Sequence, residues 1–269
     1  MGNSICISIR AAEPAQEILI SQLAELGAEG FEQTEEVLLA YFPALDFKSY
    51  EVNELLKTYS FDTSTVEEQN WNEVWESNFQ PVVVDDFCAI RAEFHPSFNS
   101  VVEHEIVITP KMSFGTGHHA TTFMMIRQMR GMDFAGKKVF DFGTGTGILA
   151  ILAEKLGAIA ISAIDVDEWS IRNAGENAER NKCSHIELAL STEVPAGKFD
   201  IILANINRHV ILQYLPLLKK ALNARGYLLL SGLMTSDEQD VVEACSGLGL
   251  QFAQRDERSN WISLLYCMT

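Results

Sequence analysis

The sequence lacks the long apolar segments and paired cysteines that mark two large classes of protein. No uninterrupted apolar run in its 269 residues approaches the roughly 20 that a membrane-spanning helix needs. The five cysteines are scattered, and none forms a Cys-x-x-Cys pair or joins histidines at metal-ligand spacing. We therefore expect a reduced, cytoplasmic protein with no membrane partner, no disulfide framework and no bound metal.

Basic residues are also scarce. Lys and Arg number 20 against 37 Asp and Glu, and the net charge of −17 argues against direct nucleic-acid binding. Residues 1–80 carry 3 basic and 15 acidic side chains, a net charge of −12, and residues 81–269 carry the remaining −5. Such a charge run is either a solvated surface or a surface that attracts a basic, Lys-rich protein.

The first 66 residues indicate a small α+β domain. Apolar spacing predicts two strands and two helices, with Gly27 as a plausible C-cap of the first helix. The strands are predicted at residues 4–10 and 37–42, and the helices at residues 14–26 and 47–59. This rhythm is typical of a ferredoxin-like split βαβ arrangement.

Residues 67–80 are polar and charged around Trp71 and Trp75. The two indoles are four residues apart, which places them on one side of a helix. We interpret this segment as a linker helix that packs both indoles against a neighbour.

A second domain is predicted over residues 81–269. It begins with three short strands that we interpret as a meander, at residues 82–84, 88–92 and 103–109. Strands and helices then alternate, as in an α/β domain with a mostly parallel sheet. Helices are predicted at residues 123–129, 148–156, 168–181, 208–223 and 236–246, and strands at residues 138–142, 160–164, 185–190, 199–204, 226–231, 250–255 and 261–266. The last two strands have no helix between them, which predicts a hairpin and one antiparallel edge strand.

Residues 139–150, VFDFGTGTGILA, combine an apolar strand, a glycine-rich turn and the start of an apolar helix. Glycines at positions 143, 145 and 147 allow a ligand to approach the backbone, and the helix start offers unpaired N–H groups. The spacing is GxGxG and not the GxGxxG of dinucleotide sites. It therefore favours a ribose-bearing ligand without a pyrophosphate, such as S-adenosylmethionine (AdoMet).

Two polar residues end neighbouring predicted strands. Asp165 follows Gly143 by 22 residues, and a carboxylate at this place can accept two hydrogen bonds from a ribose diol. Asn205 ends the strand DIILAN, and its amide oxygen can accept a hydrogen bond from an amine. Helix N-capping is the competing interpretation, because Asp167 and Asn207 also precede helices.

Four segments together resemble the ribosomal protein L-eleven methyltransferase family (PrmA). They are PKMSFGTGHHATT at residues 110–122, FDFGTGTGILAILAEKLGA at 140–158, IDVDEWSIRNAGENAERN at 164–181 and DIILANI at 200–206. The first segment is the most specific, because AdoMet enzymes in general share only the later ones. Within it, Lys111, His118 and Ala120 stand where the family has Gly, Thr and Pro, whereas His119 matches the family histidine.

The resemblance implies a class I (Rossmann-like) methyltransferase domain with a mostly parallel seven-stranded sheet, and a front domain that captures the substrate. It implies methyl transfer from AdoMet to lysine ε-amines and the N-terminal α-amine of one large-subunit ribosomal protein. The family's cofactor contacts fall on Thr122, Gly143, Asp165 and Asn205, and Gly145 belongs to the same glycine turn.

Asn205 and His119 are the catalytic candidates. We expect Asn205 and neighbouring backbone carbonyls to orient the amine, while a loop with Phe114, His118 and His119 closes over it. His119 is the candidate proton acceptor, and a structural or hydrogen-bond-donor role is the alternative.

Other functions remain open on the sequence alone. The chain could methylate another protein or a small molecule, act as a nicotinamide-dependent oxidoreductase, or bind AdoMet without catalysis during ribosome assembly. The GxGxG spacing and the absence of a hydride-transfer constellation count against the oxidoreductase. The intact loop and Asn205 count against the non-catalytic binder.

Overall fold

The computed structural model describes residues 4–34, 36–45, 47–66, 79–98, 100–109 and 117–269. The chain divides into two compact units, a front unit Met1–Trp75 and a second unit Glu76–Thr269. The predicted linker helix at residues 67–80 lies almost entirely outside the described residues. Of this segment only Phe79 and Gln80 are described, and Phe79 is buried in the second unit.

The front unit is a four-stranded antiparallel sheet with two helices. Its elements are β1 (Ser4–Arg10), α1 (Glu13–Glu25), β2 (Gly30–Gln33), β3 (Val37–Pro43), α2 (Ser49–Leu56) and β4 (Ser60–Val66), and the strand order is β2-β3-β1-β4. Gly27 follows α1 at φ 101°, as expected for a glycine after a helix. Alternation in β1 and β3 buries Ile7, Ile9 and Leu38 against the helices. The predicted strands and helices are thereby confirmed.

The two edge strands of this sheet, β2 and β4, were not predicted. Strand β4 has the sequence SFDTSTV, in which exposed polar residues predominate. An edge strand has a neighbour on one side only and does not need an apolar pattern. Such strands carry little sequence signal.

The second unit begins with a three-stranded sheet in the order β5-β6-β7: β5 (Val82–Val84), β6 (Cys88–Ala92) and β7 (His104–Ile108). The meander prediction is wrong for the second connection, because β6 and β7 are parallel. A parallel pair needs a long connection that returns the chain to its starting end, and residues 93–103 supply it. Arg91 on β6 forms a salt bridge with Glu105 on β7, and both side chains are mostly buried.

The main sheet has seven strands in the order β10-β9-β8-β11-β12-β14-β13. The strands are β8 (Lys138–Phe142), β9 (Ala160–Asp165), β10 (Ile186–Leu190), β11 (Phe199–Asn205), β12 (Leu222–Met234), β13 (Leu250–Arg258) and β14 (Trp261–Met268). The helices are α3 (Ala120–Met129), α4 (Ile148–Lys155), α5 (Glu168–Arg180), α6 (Arg208–Ala221) and α7 (Glu238–Gly247). Strands β8 to β12 are parallel, which confirms the predicted mostly parallel sheet.

The hairpin of the last two strands is confirmed, but the predicted antiparallel edge strand is not at the edge. Strand β14 pairs antiparallel with both β12 and β13, and β13 forms the edge. Burial explains the order, since β14 (WISLLYCM) is almost wholly buried and β13 (LQFAQRDER) is mostly exposed. The apolar strand fills the interior position and the charged strand faces solvent at the edge.

Buried apolar residues cover both faces of the main sheet. Helices α3 and α4 contribute Met125, Ile126 and Leu152 on one side, and α6 and α7 contribute Leu215 and Val241 on the other. Burial on both faces explains the continuous apolar runs in β8 and β11.

Within the described ranges, no helix is long and apolar enough to cross a membrane. The five cysteines all lie in these ranges and are free thiols.

Candidate active site

The chain leaves β8 towards β9 and β10 on one side and returns to β11 and β12 on the other. Ligands of such sheets bind where the strand order reverses, beyond the carboxyl ends of the strands. A cavity of about 490 Å³ lies at this place. Its lining includes His119, Gly143, Gly145, Asp165 and Asn205, five of the six residues predicted for the site. The sixth, Thr122, lines a small adjoining space together with Gly143 and Asn205.

The glycine turn, residues 143–147, needs glycine for its backbone conformation and for space. Gly143, Gly145 and Gly147 have φ of 77°, 54° and 81°, in the left-handed region that side chains disfavour. A Cβ on Gly143 would also overlap with Cγ2 of Ile206. The N–H groups of Gly143 and Thr144 both donate to the carbonyl of Ile164 at 2.9 Å, which ties the turn to β9.

Asp165 and Asp167 have separate roles. Asp167 is the N-cap of α5 and accepts hydrogen bonds from the N–H groups of Trp169 and Ser170. Asp165 accepts from the N–H of Gly145 at 2.9 Å and from the N–H of Asp167 at 3.0 Å. The capping interpretation therefore holds for Asp167, and Asp165 faces the cavity with its remaining lone pairs available to a ligand.

Asn205 and Asn207 divide their roles in the same way. Asn207 is the N-cap of α6 and accepts from the N–H of Val210 at 3.1 Å. Asn205 donates from Nδ2 to the hydroxyl of Thr122 at 3.2 Å. Its Oδ1 is buried and has no hydrogen-bond partner in the described part of the protein. A buried acceptor without a donor is costly, and in this cavity the oxygen can accept a hydrogen bond from a ligand.

His119 is the N-cap of α3. Its Nδ1 accepts from the N–H of Thr121 at 3.4 Å and lies 2.8 Å from the Thr121 hydroxyl. When both Thr121 groups donate to Nδ1, the ring proton is on Nε2, which makes His119 a donor there. Its ring contacts Trp261 edge-on with centroids 4.6 Å apart. His118 is exposed and packs edge-on against Phe79 at 4.9 Å.

Asp141 lies beneath the glycine turn and is fully buried. The hydroxyl of Thr144 donates to its Oδ2 at 2.6 Å. Burial raises the pKa of Asp141 from 3.8 to about 7, and the neighbouring Asp165 adds to the rise while Thr144 opposes it.

Comparison with known proteins identifies the family. The profile described as ribosomal protein L11 methyltransferase (PrmA) matches residues 4–268. This chain belongs to that family. The ribosomal protein L11 methyltransferase of Porphyromonas gingivalis is 40% identical over 265 residues, which cover 94% of this chain and 91% of that protein.

A solved structure agrees with this membership, and a more distant one shares the fold. The structure titled ribosomal protein L11 methylase from Lactobacillus delbrueckii subsp. bulgaricus is 29% identical, with a TM-score of 0.63 over 71% of this chain and 99% of that one. The T. thermophilus 16S rRNA N2 G1207 methyltransferase in complex with AdoMet and guanosine shares the fold, with a TM-score of 0.51 and 18% identity over 60% of this chain and 46% of that one.

The residues of the cavity fit AdoMet. The volume of the cavity lies within the roughly 300–1,000 Å³ usual for small-molecule sites. The bare Cα of Gly143 leaves room for close approach, Asp165 presents a carboxylate, and Asn205 presents an unsatisfied amide oxygen. A cationic ligand with a ribose diol and amine donors suits this set.

Several residues of the lining were not predicted, among them Ser191, Ile206 and Trp261. Ser191 follows β10 directly, so its place at a strand end could have been found from the sequence. Trp261 reaches the cavity only because β14 enters the sheet beside β12, a pairing that no local pattern encodes. Phe114 and Lys111 lie outside the described residues.

Proposed function

We propose that this protein transfers methyl groups from AdoMet to lysine ε-amines and the N-terminal α-amine of ribosomal protein L11. The observation that carries the proposal is the buried, unsatisfied Oδ1 of Asn205 in the same cavity as the glycine turn and Asp165. The family to which this chain belongs supports the reaction and the substrate, because its relatives are named for L11.

Besides His119, five of the predicted residues hold the cofactor or act at the reacting end. Gly143 and Gly145 present the turn, Asp165 accepts from the ribose diol, and Thr122 fixes the amide of Asn205. Ser191 and Val166, which follow β10 and β9, line the same cavity near Asp165.

AdoMet supplies a methyl group that its sulfonium charge has already activated for displacement. The protein must hold a neutral amine in line with the bond that breaks, within about 3–3.5 Å of the methyl carbon. Asn205 orients this amine, because its Oδ1 can accept one of the amine hydrogens. A lysine has a pKa of about 10.4 in water. Desolvation in the mostly apolar cavity lowers that pKa and releases the proton to solvent before attack.

His119 completes the wall at the reacting end with Trp261. The N–H of Thr121, which donates to Nδ1, favours a donor role for Nε2 over the role of proton acceptor. His119 then positions Thr122 through the first turn of α3 and hydrogen-bonds to the bound ligands.

The front unit, a ferredoxin-like domain over residues 1–66, captures the substrate protein. Its βαββαβ order and antiparallel β2-β3-β1-β4 sheet support this fold. Its two lysines, Lys48 and Lys57, already pair with Glu51 and Glu54 on α2. Arg10 is the one further basic side chain of this unit, so most of its acids are left to attract a basic partner. Residues 81–269 carry the methyl transfer.

Radiolabelled methyl transfer tests the proposal. The protein, tritiated AdoMet and separated large-subunit ribosomal proteins are incubated, and label is expected in L11 alone, on amine nitrogens. Label in another protein would show that L11 is not the substrate. Tight AdoMet binding without any methyl transfer would favour a non-catalytic binder. Calorimetry with NAD tests the oxidoreductase alternative, for which NAD and not AdoMet must bind.

A further inference from the structure

Helix α5 and its C-cap place three asparagines four residues apart, at positions 173, 177 and 181. Two of them bond to the outer edge of β7, which is the edge strand of the three-stranded sheet. Asn181 accepts from the N–H of Val107 at 3.0 Å and donates to the carbonyl of the same residue at 2.6 Å. It thus occupies the backbone groups that a neighbouring strand would otherwise pair.

Asn177 bonds differently. Its Oδ1 accepts from the N–H of Thr109, just beyond β7, at 2.8 Å. Its Nδ2 turns away from β7 and donates to the carbonyl of Thr146 in the glycine turn at 2.8 Å. One fully buried amide therefore joins the end of β7 to the turn that lines the cofactor cavity.

The glycine turn is held from two sides by these contacts. Asp165 accepts a hydrogen bond from the N–H of Gly145. Asn177 donates one to the carbonyl of Thr146, the next residue along the chain. Ala174, one turn before Asn177, packs so close that a Cβ on Gly147 would lie 3.1 Å from its Cβ. Because the three glycines of the turn have left-handed φ, these contacts decide which way its peptide groups point.

We propose that Asn177 is a positioning residue for the cofactor: it orients the Thr146 peptide group so that the glycine turn is preformed for AdoMet. The identity of the ligand rests on the proposed function. Asn177 does not itself line the cavity. It acts through Thr146, and removing its donor takes a hydrogen bond from the Thr146 carbonyl and lets the turn relax.

The test compares Asn177→Ala with Asn181→Ala in the full-length protein. Both variants remove an asparagine that bonds to β7, and only the first releases the Thr146 carbonyl. AdoMet affinity is measured by calorimetry well below the melting temperature of each variant. We expect Asn177→Ala to raise the Kd about ten-fold and Asn181→Ala to leave it within two-fold, whichever variant loses more thermal stability.

Asn177→Asp, measured at a pH well above 7, separates the two bonds of Asn177, because an ionised carboxylate still accepts from Thr109 but cannot donate to Thr146. It should bind AdoMet as weakly as Asn177→Ala, and it serves as the second variant if the alanine protein does not fold. Equal Kd changes at 177 and 181, or an Asp variant with wild-type affinity, would overturn the proposal. A wild-type protein that does not bind AdoMet would instead refute the proposed function.

Discussion

The side-chain amide of Asn205 donates to the hydroxyl of Thr122 across 3.2 Å, and this bond joins the end of β11 to the first turn of α3. It fixes the amide so that Oδ1 is the atom left without a partner among the described residues. The direction of that oxygen is therefore set before any substrate arrives, which reduces the cost of orienting an amine.

Asn205→Ala should lower kcat for methyl transfer about 100-fold at saturating AdoMet and protein substrate, because the amine loses its acceptor. Asn223→Ala is the matched control. Asn223 is a half-buried asparagine that donates to Asp200 near the other end of the same strand, far from the cavity. The Asn223→Ala variant should be less stable than the wild type and have the same kcat. Wild-type turnover by Asn205→Ala would contradict the orienting role.

His119→Asn should keep kcat within about ten-fold of wild type, because asparagine is a good N-cap and can accept from Thr121. His119→Ala should lose about 1 kcal/mol of stability with the cap. Thermal unfolding and the pH dependence of kcat are measured for both. A thousand-fold loss of activity in His119→Asn, together with loss of the fall in kcat at low pH, would show that His119 is the proton acceptor.

Gly143→Ala should weaken AdoMet binding, and Ile206→Ala should partly restore it. The added Cβ meets a side-chain atom of Ile206, so truncating that side chain removes the overlap. A cost of about 1–2 kcal/mol from the left-handed φ remains. Gly232→Ala is the matched comparison, because its Cβ would overlap with backbone atoms of Ile206 that no substitution removes. Equal rescue of both glycine variants, measured by calorimetry, would contradict this account.

Asp141 should make the protein less stable as the pH rises towards neutrality. Burial raises its pKa to about 7 in the folded protein, whereas an unfolded aspartate has a pKa near 3.9. Between about pH 4 and pH 7 the folded state thus holds a proton that the unfolded chain has lost, and its stability falls as pH rises.

The variant Asp141→Asn stays neutral and keeps an acceptor for Thr144. Relative to wild type it should gain stability between pH 5 and pH 8, by at most about 4 kcal/mol. Urea unfolding at several pH values measures the difference. Parallel stability curves for the two proteins would show that Asp141 does not titrate in this range.

The front unit should bind its partner through exposed acids on one sheet face. Glu32 and Asp62 project from the same face, because both are in one cross-strand row with Leu39 and Ser8. Glu32→Gln with Asp62→Asn should raise KM for the protein substrate several-fold and flatten its salt dependence, with kcat unchanged. Glu51→Gln with Glu54→Gln removes two acids already paired with lysines, and should have a smaller effect. Equal effects of the two pairs would leave no role for this face.

The sequence predicted the parts of the site that depend on a few consecutive residues. The glycine turn, Asp165 and Asn205 each end or follow an apolar strand, and parallel strands bring their carboxyl ends together. The choice between capping and ligand binding could not be made for Asp165 and Asn205. It depends on which of two nearby residues meets the helix N–H groups, and only the backbone geometry decides that.

Pairing between distant segments was the part that the sequence could not predict. The parallel β6–β7 pair and the interior place of β14 depend on the direction in which long connections return. The polar strand β4 is stabilised by its neighbour β1 and not by its own composition. Trp261 is a residue of the site only as a consequence of such a pairing.

The interior position of β14 has a kinetic consequence. Strands β12 and β13 cannot pair with each other, so the edge of β12 stays open until the hairpin turns back and β14 enters between them. Until that step, the open edge of β12 can pair with another chain. The same step brings Trp261 against His119. The wall of the cavity is thus complete only once β14 has docked, so recovery of methyl transfer during refolding should not precede the pairing of β14 with β12.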